Sequence, residues 1–237
     1  MANPYFKFKQ FSVYHDRSSL KVGTDAVLLG AWSDAAGASR ILDIGTGSGV
    51  IALMLAQHST AKIDAIDIDE ESFKQAKENF SDSPWSELLS VHNISLKDFA
   101  AATTGQYDLI VSNPPYFTDS YKPVDPKRFS ARHNDQLPIN ELAENAAKLL
   151  NETGKFCVIL PVKEAGLLTS EIRKYKLYPE KELWVYSFTG KEVFRKLILF
   201  GRNETTCQRE ELTIETAPGQ GYSKEYIELT KEYYLNF

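Results

Sequence analysis

A glycine-rich segment at residues 43–49, with the sequence DIGTGSG, constrains the fold of this chain most. It follows the apolar pair Ile41 and Leu42 and precedes the apolar run Val50–Ala56, which predicts a strand before the glycines and a helix after them. Glycines at alternate positions let the backbone turn tightly and approach a ligand, and a helix N-terminus favours polar or anionic groups. The segment therefore predicts a ligand-binding turn in a doubly wound α/β sheet.

The spacing of these glycines indicates which ligand the turn binds. A dinucleotide fold requires the pattern G-x-G-x-x-G, whereas Val50 stands at the third glycine position and the carboxylate of Asp43 begins the loop. A carboxylate can pair with the positively charged amino group of S-adenosylmethionine. Asp67 ends the next strand, where an acid can accept hydrogen bonds from the ribose of an adenosine cofactor. We therefore predict S-adenosylmethionine as the cofactor, with an ordinary glycine turn as the structural alternative.

A second candidate site follows the fourth predicted strand. The apolar run at residues 107–112 leads directly into Asn113-Pro114-Pro115-Tyr116, at a strand end where open α/β sheets place their chemistry. An exocyclic amine or amide nitrogen is a poor nucleophile because its lone pair is delocalised. The Asn113 side-chain oxygen and the Pro114 carbonyl can accept its two hydrogens, while the prolines hold the turn rigid. Tyr116 offers a flat face for stacking. The tetrapeptide predicts a site that activates a planar nitrogen, and an ordinary proline turn is the alternative.

The composition favours a globular chain without a membrane span or a metal site. With 237 residues and 43% hydrophobic content, the chain can bury a sizeable core. No stretch reaches the roughly 18 apolar residues of a membrane span, and the N-terminus lacks the apolar core of a signal peptide. We therefore expect a cytoplasmic protein. The two cysteines and four histidines lack metal-ligand spacing, which predicts no metal site.

The net charge of −5 conceals an uneven distribution of charge. Residues 40–112 carry 5 Lys and Arg against 11 Asp and Glu, whereas residues 1–21 carry 4 against 1 and residues 171–202 carry 8 against 4. Since phosphate attraction depends on local charge, these basic segments are compatible with a nucleic-acid partner, and ordinary solvated surface is the alternative. The segment at 117–138 interleaves aromatic and basic residues. It predicts a lid or a polymer-binding element, with a plain surface loop as the alternative.

The order of predicted elements indicates an α/β fold with helices on both faces of a mostly parallel, seven-stranded sheet. The strands at residues 183–187 and 195–200 are joined by a short turn, which predicts an antiparallel last strand. We predict a single domain at 1–237, with an N-terminal extension at 1–38, a catalytic core at 39–202 and a C-terminal tail at 203–237 that packs on the core.

Two pairs of polar residues remain open between a structural and a functional role. Thr24 or Asp25 suits the N-cap of the helix that follows them, or lies beside the amino-acid end of the cofactor. Ser95 or Asp98 either meets the adenine of the cofactor or caps a loop.

Together these motifs resemble the class I S-adenosylmethionine-dependent methyltransferases that act on planar nitrogens, which have a Rossmann-like fold. The segments at 8–11, 21–32, 131–133 and 222–235 are more specifically similar to the valine-tRNA adenine-N6 methyltransferases, which methylate the adenosine 3′ of the anticodon. The resemblance covers nearly the whole chain. One residue departs from the family: Ser95 stands where many relatives have an acid that contacts the adenine of the cofactor.

The resemblance implies roles for individual residues. It implies that Asp43 and the glycines hold the methionine part of the cofactor, Asp67 holds the ribose, and Asn113 with Pro114 orients the target N6. Tyr116 would then stack on a flipped base. The full predicted cofactor set is Thr24, Asp25, Asp43, Gly45, Thr46, Gly47, Gly49, Asp67, Ile68, Ser95, Leu96 and Asn113. The catalytic set is Asn113, Pro114, Pro115 and Tyr116, and the predicted substrate set is Phe117, Lys122, Lys127, Arg128 and Arg132.

The resemblance also implies the partner, which is the anticodon loop of valine tRNA, and we expect a monomer. A protein-glutamine methyltransferase that acts on release factors is the first alternative, although such enzymes carry a larger N-terminal domain and only 42 residues precede Asp43. An RNA-binding protein with a vestigial cofactor pocket is a second alternative. A DNA adenine methylase or a small-molecule methyltransferase fits the chain less well.

Overall fold

A computed structural model describes residues 3–18, 21–115 and 137–237 of the chain. Its strands are β1 (Tyr5–Lys7), β2 (Ser12–Tyr14), β3 (Arg40–Ile44), β4 (Lys62–Asp67), β5 (Leu89–Asn93), β6 (Tyr107–Ser112), β7 (Leu150–Leu160), β8 (Tyr178–Phe188), β9 (Val193–Gly201) and β10 (Gln208–Glu215). Its helices are α1 (Thr24–Trp32), α2 (Val50–Ala56), α3 (Glu70–Ser81), α4 (Leu96–Ala102), α5 (Ile139–Leu149), α6 (Val162–Ile172) and α7 (Lys224–Thr230).

Strands β3 to β10 form one sheet in the order β10-β8-β9-β7-β6-β3-β4-β5. The five strands from β5 to β7 are parallel, and β9 runs antiparallel to both of its neighbours, β7 and β8. This arrangement confirms the predicted α/β class, the mostly parallel sheet and the antiparallel strand after the short turn. Because β3 and β6 are parallel neighbours, the glycine loop and Asn113 emerge from the same edge of the sheet.

The predicted number of seven strands is wrong, because β10 adds an eighth strand parallel to β8. The sequence of β10 hides it, since the strand begins with four polar residues, Gln208-Arg209-Glu210-Glu211, all of them exposed. Its one buried side chain is Leu212. An edge strand needs little apolar surface, so its hydrophobic periodicity is too weak to detect.

Helices cover both faces of the sheet and create two hydrophobic clusters. Successive residues of one strand belong to opposite clusters: in β3, Ile41 packs with helices α1 and α2, whereas Leu42 packs with helices α4 to α6. Side chains alternate across a strand, and this sheet is buried on both faces. The continuous apolar runs of β3 and β6 are the result.

The two ends of the described chain lie against each other. The strands β1 and β2 form an N-terminal antiparallel hairpin, and Phe8 and Phe11 between them are buried in the core. The backbone N–H of Lys9 donates to the carbonyl of Tyr233 at 2.8 Å, and its ammonium donates to the carbonyls of Lys231 and Phe237. The N-terminal and C-terminal segments therefore share one structural unit.

Helix α1 corrects the expected N-cap. Its N-cap is Gly23, and neither Thr24 nor Asp25 caps it, because both already lie within the helix. Both cysteines, Cys157 and Cys207, are free thiols. No helix in the described part of the chain is both long and apolar enough to span a membrane.

Candidate cofactor and catalytic site

The glycine loop between β3 and α2 is held in an unusual backbone conformation. Gly45, Gly47 and Gly49 have φ angles of 72°, 57° and 83°, in the left-handed region that favours glycine. The N–H groups of Gly45 and Thr46 donate to the carbonyl of Ile66 at 2.9 and 3.0 Å, which fastens the loop to β4. A Cβ atom on Gly49 would lie only 2.5 Å from the Phe80 ring. Backbone angle and close packing both require glycine at position 49.

Asp43 is a fully buried carboxylate with one unused oxygen. Its Oδ2 accepts a hydrogen bond from the Thr46 hydroxyl at 2.6 Å, whereas Oδ1 has no hydrogen-bond partner among the described residues. Burial raises the pKa of Asp43 to about 7. The Thr46 hydrogen bond and the nearby backbone of Ala52 lower this pKa in part, and the charge of Asp67 raises it further. A buried acceptor without a partner is costly. A cationic ligand group that donates to Oδ1 would remove that cost, so the site fits the ammonium group of S-adenosylmethionine.

Asp67 is oriented by backbone groups at the end of β4. Its Oδ2 accepts from the N–H of Gly47 at 2.7 Å, and its Oδ1 accepts from the N–H of Asp69 at 2.9 Å. A carboxylate oxygen can accept more than one hydrogen bond, so a carboxylate at this position can also accept from a ribose hydroxyl. The side chain of Ile68, next in sequence, is 52% exposed, which leaves an apolar surface beside this carboxylate.

Asn93 has a role at the site that the sequence pattern does not predict. Its side-chain amide donates to the carbonyls of Asp67 and Ile68 at 2.9 and 3.0 Å, and so fixes the backbone that carries both residues. The available signal was its position, because it is the last residue of β5 at the same edge of the sheet.

Ser95 and Asp98 use each other as cap partners at the start of α4. The Ser95 hydroxyl accepts from the backbone N–H of Asp98 at 3.1 Å and donates to the carboxylate of Asp98 at 2.6 Å. Leu96 is the first residue of the helix, and its side chain is buried. The expected structural role of the serine is therefore present, and its contact with adenine stays a prediction.

Asn113 and Pro114 lie beside the glycine loop. Ser112 pairs with Ile44 across β6 and β3, and its hydroxyl donates to the Ile44 carbonyl at 3.0 Å. Asn113 directly follows β6 and Gly45 directly follows β3, so both residues leave the sheet at the same edge. Asn113 is half-buried, Pro114 is buried and Pro115 is exposed. Tyr116, Phe117, Lys122, Lys127, Arg128 and Arg132 lie outside the described residues.

Thr24 and Asp25 occupy the first turn of α1. The carboxylate of Asp25 accepts a hydrogen bond from the guanidinium of Arg195 on β9 at 2.7 Å, and both side chains are mostly buried. Thr24 is exposed. The ion pair anchors the start of α1 to the sheet. In the described ranges, no group of three or more His, Cys, Asp and Glu side chains is arranged to hold a metal ion.

Solved structures share this fold at low sequence identity. P. horikoshii TYW2 in complex with MeSAdo superimposes with a TM-score of 0.58 at 14% identity, covering 84% of this chain and 71% of that chain. A methyltransferase from Pyrococcus furiosus superimposes with a TM-score of 0.54 at 22% identity, covering 78% and 89%. These similarities establish the Rossmann-like methyltransferase fold.

Sequence relatives identify the family more closely. The family model of the methyltransferase small domain matches residues 15–181. The tRNA1(Val) (adenine(37)-N6)-methyltransferase of Bacteroides thetaiotaomicron is 48% identical over 100% of this chain and 99% of the relative. Proteins of the same name from Flavobacterium psychrophilum and Trichodesmium erythraeum are 46% and 42% identical, covering 97% and 100% of this chain and 99% and 100% of the relatives. The chain therefore belongs to the methyltransferase small-domain family and, within it, to the tRNA1(Val) (adenine(37)-N6)-methyltransferases.

Proposed function

We propose that this chain is an S-adenosylmethionine-dependent methyltransferase that methylates the exocyclic N6 of adenine 37 in valine tRNA. The observation that carries the proposal is the position of Asn113 and Pro114 at the sheet edge where Asp43 has an unused oxygen. The full-length similarity to enzymes named for this reaction supports the substrate.

Different residues of the candidate site would bind different parts of the cofactor. Asp43 and the glycine loop would hold the methionine part of the cofactor, with its ammonium group against Asp43, and Asp67 would hold the ribose. Ile68, Ser95 and Leu96 lie toward the adenine. When bound, S-adenosylmethionine supplies an electrophilic methyl group.

The residues of the catalytic turn act on the target nitrogen. The Asn113 amide oxygen and the Pro114 carbonyl accept the two N6 hydrogens, which draws the nitrogen toward tetrahedral geometry and frees its lone pair. The prolines fix this turn, so little orienting entropy is lost during the reaction. Tyr116 would stack on the flipped adenine. The predicted substrate set that follows it in sequence would bind the RNA: Phe117, Lys122, Lys127, Arg128 and Arg132. No ionised general base is needed, because the nitrogen releases its proton after methylation.

We also propose that the enzyme acts in the cytoplasm as a monomer, without a metal ion, and that residues 1–237 form one methyltransferase domain. The mechanism requires neither a second subunit nor a metal ion. All the residues that the proposed mechanism uses lie on one chain.

The test is methyl transfer from labelled S-adenosylmethionine to unmodified tRNA and, in parallel, to release factors. The proposal expects label in valine tRNA that is recovered as N6-methyladenosine after digestion to nucleosides. Label in release factors alone would move the function to glutamine methylation while retaining the cofactor. No transfer to either substrate would contradict the proposed reaction.

A further inference from the structure

Helix α3 buries polar residues on a face where a helix ordinarily buries apolar ones. Ser72, Gln75 and Asn79 are 1%, 1% and 2% exposed, and their spacing puts them on one side of the helix. Burying an amide is unfavourable unless hydrogen bonds replace its lost hydration. This polar face therefore has specific partners.

Asn79 joins the N-terminal segment to the glycine loop. Its Oδ1 accepts from the backbone N–H of Tyr14 at 3.0 Å, and its Nδ2 donates to the carbonyl of Tyr14 at 2.8 Å. The same Nδ2 donates to the carbonyl of Ser48 at 2.8 Å. One buried amide thus contacts both the end of β2 and the loop that follows β3.

Gln75 and Ser72 extend this contact between α3 and the N-terminal segment. The Gln75 side-chain oxygen accepts from the backbone N–H of Arg17 at 3.2 Å, and the Arg17 guanidinium forms an ion pair with Glu78. The hydroxyls of Ser72 and Ser18 lie 3.5 Å apart. Residues 14–18, which we call the N-terminal wall, are therefore held along α3 by side chains.

The N-terminal wall ends directly over the glycine loop. A Cβ atom built on Gly47 would lie 3.6 Å from the hydroxyl oxygen of Ser18. The 3.5 Å distance between the Ser18 and Ser72 hydroxyls is at the outer limit of a hydrogen bond, so the Ser18 hydroxyl retains capacity to bind a ligand. Asp69, the N-cap of α3, donates its backbone N–H to the Asp67 carboxylate.

We propose that the N-terminal wall is part of the cofactor site, that the Ser18 hydroxyl binds the amino-acid end of S-adenosylmethionine, and that Asn79 is the positioning residue that holds the wall there. This inference rests on the cofactor assignment of the proposed function and is independent of the tRNA substrate. The carboxylate of the cofactor can accept a hydrogen bond from the serine hydroxyl, which lies over Gly47 in the loop that begins with Asp43.

The experiment measures binding of S-adenosylmethionine by isothermal titration calorimetry, together with thermal unfolding, for three variants. Ser18→Ala removes the proposed contact. Asn79→Asp keeps the acceptor for the Tyr14 N–H and removes the donor to the carbonyls of Tyr14 and Ser48. Asn145→Ala is the matched control, because it removes a buried asparagine amide that bonds to the Glu141 carbonyl of its own helix α5.

We expect Ser18→Ala to raise the Kd about three- to tenfold, the effect of one net hydrogen bond, without a change in Tm. Asn79→Asp should raise the Kd about tenfold or more, whereas Asn145→Ala should lower Tm and leave the Kd unchanged. In turnover, both site variants should raise KM for S-adenosylmethionine and retain kcat at saturation.

A Kd within twofold of the wild type for Ser18→Ala would remove Ser18 from the site. An unchanged Kd with a lowered Tm for Asn79→Asp would make Asn79 a structural residue only. Because binding is measured without RNA, a failure of methyl transfer to tRNA would leave this inference standing, and a failure of this inference would leave that reaction intact.

Discussion

Two regions of one sheet edge differ in how they are built. The cofactor side, residues 43–49 with Asp67, is assembled from two strands by backbone hydrogen bonds and contains a buried carboxylate with an unused oxygen. The catalytic turn, residues 113–115, is a short segment fixed by two prolines and has no ionisable side chain. We infer from this difference that the cofactor side requires a cationic ligand, whereas the catalytic turn requires a rigid backbone. Changes in the first should therefore alter affinity, and changes in the second should alter turnover.

The largest effect is expected for Asn113→Ala. Loss of the amide oxygen removes one of the two acceptors for the N6 hydrogens, so kcat should fall about 10²- to 10³-fold, as for other lost transition-state hydrogen bonds. The Kd of S-adenosylmethionine should stay within about threefold of the wild type, because the cofactor side is intact. Single-turnover methylation and calorimetry measure the two quantities. Full activity of the Asn113→Ala variant would contradict the role assigned to the catalytic turn.

Asp43→Asn tests the other side of the comparison. The amide has nearly the same shape without the charge, so the Kd of S-adenosylmethionine should rise about 10- to 100-fold through loss of a charge-assisted hydrogen bond. Asp108→Asn is a matched control, since this carboxylate accepts from the N–H groups of Ser39 and Arg40 at the start of β3. It should lower stability without changing the Kd. Equal effects of both variants on the Kd would contradict a specific role for Asp43.

Gly49→Ala tests whether the conformation of the glycine loop is required. The added methyl group meets the Phe80 ring, and the backbone has a φ of 83°, so we expect a loss of about 1–3 kcal/mol in the free energy of unfolding. Gly166→Ala, in α6 with no atom within 4 Å of the new Cβ, should instead stabilise by about 0.5–1 kcal/mol. Chemical denaturation of both variants measures the contrast. If Gly49→Ala left the free energy of unfolding unchanged, the loop would be able to relax around the added methyl group without cost.

The smallest expected effect is a pH dependence of cofactor binding. The folded pKa of Asp43 is about 7, above the roughly 3.9 of an unfolded aspartate. The folded state therefore binds more protons between these values, and stability without ligand falls as pH rises from about 4 to 7. A cationic ligand favours the ionised form, so binding should tighten about tenfold between pH 6 and pH 8 and level off above.

Calorimetry across this range measures the effect, and Asp43→Asn supplies the control. The variant should lose the slope, because it has no proton to release at this position. A slope that persists in Asp43→Asn would assign the titration to another group.

The parts of the site that depend on local spacing are predictable from the sequence. The alternate glycines, the acids at the ends of β3 and β4, and the N-P-P turn after β6 are each contiguous motifs, and parallel strands bring their carboxyl ends together. Asn79 and Asn93 were not predicted, since their partners lie 25 to 65 residues away along the chain. Nothing within α3 distinguishes a polar residue that faces the core from one that faces solvent.

Two errors in the predicted fold have physical causes of the same kind. The edge strand β10 buries one side chain and therefore has no periodicity to read. Thr24 and Asp25 are both good capping residues, so the sequence predicts the cap of α1 at one of them. In the structure, Gly23 is the cap and Asp25 forms an ion pair with Arg195. A tertiary ion pair outweighed a local preference that is worth about 1 kcal/mol.

The most direct measurement is the position and chemistry of the methyl group on valine tRNA after reaction with the purified protein and S-adenosylmethionine. Nuclease fragments analysed by mass spectrometry locate the modified residue, and nucleoside standards separate N6-methyladenosine from methylation at the ring nitrogens. Two acceptors that orient an exocyclic amine predict N6-methyladenosine at residue 37 and no other product. Methylation at a ring nitrogen, or at another residue, would contradict the account.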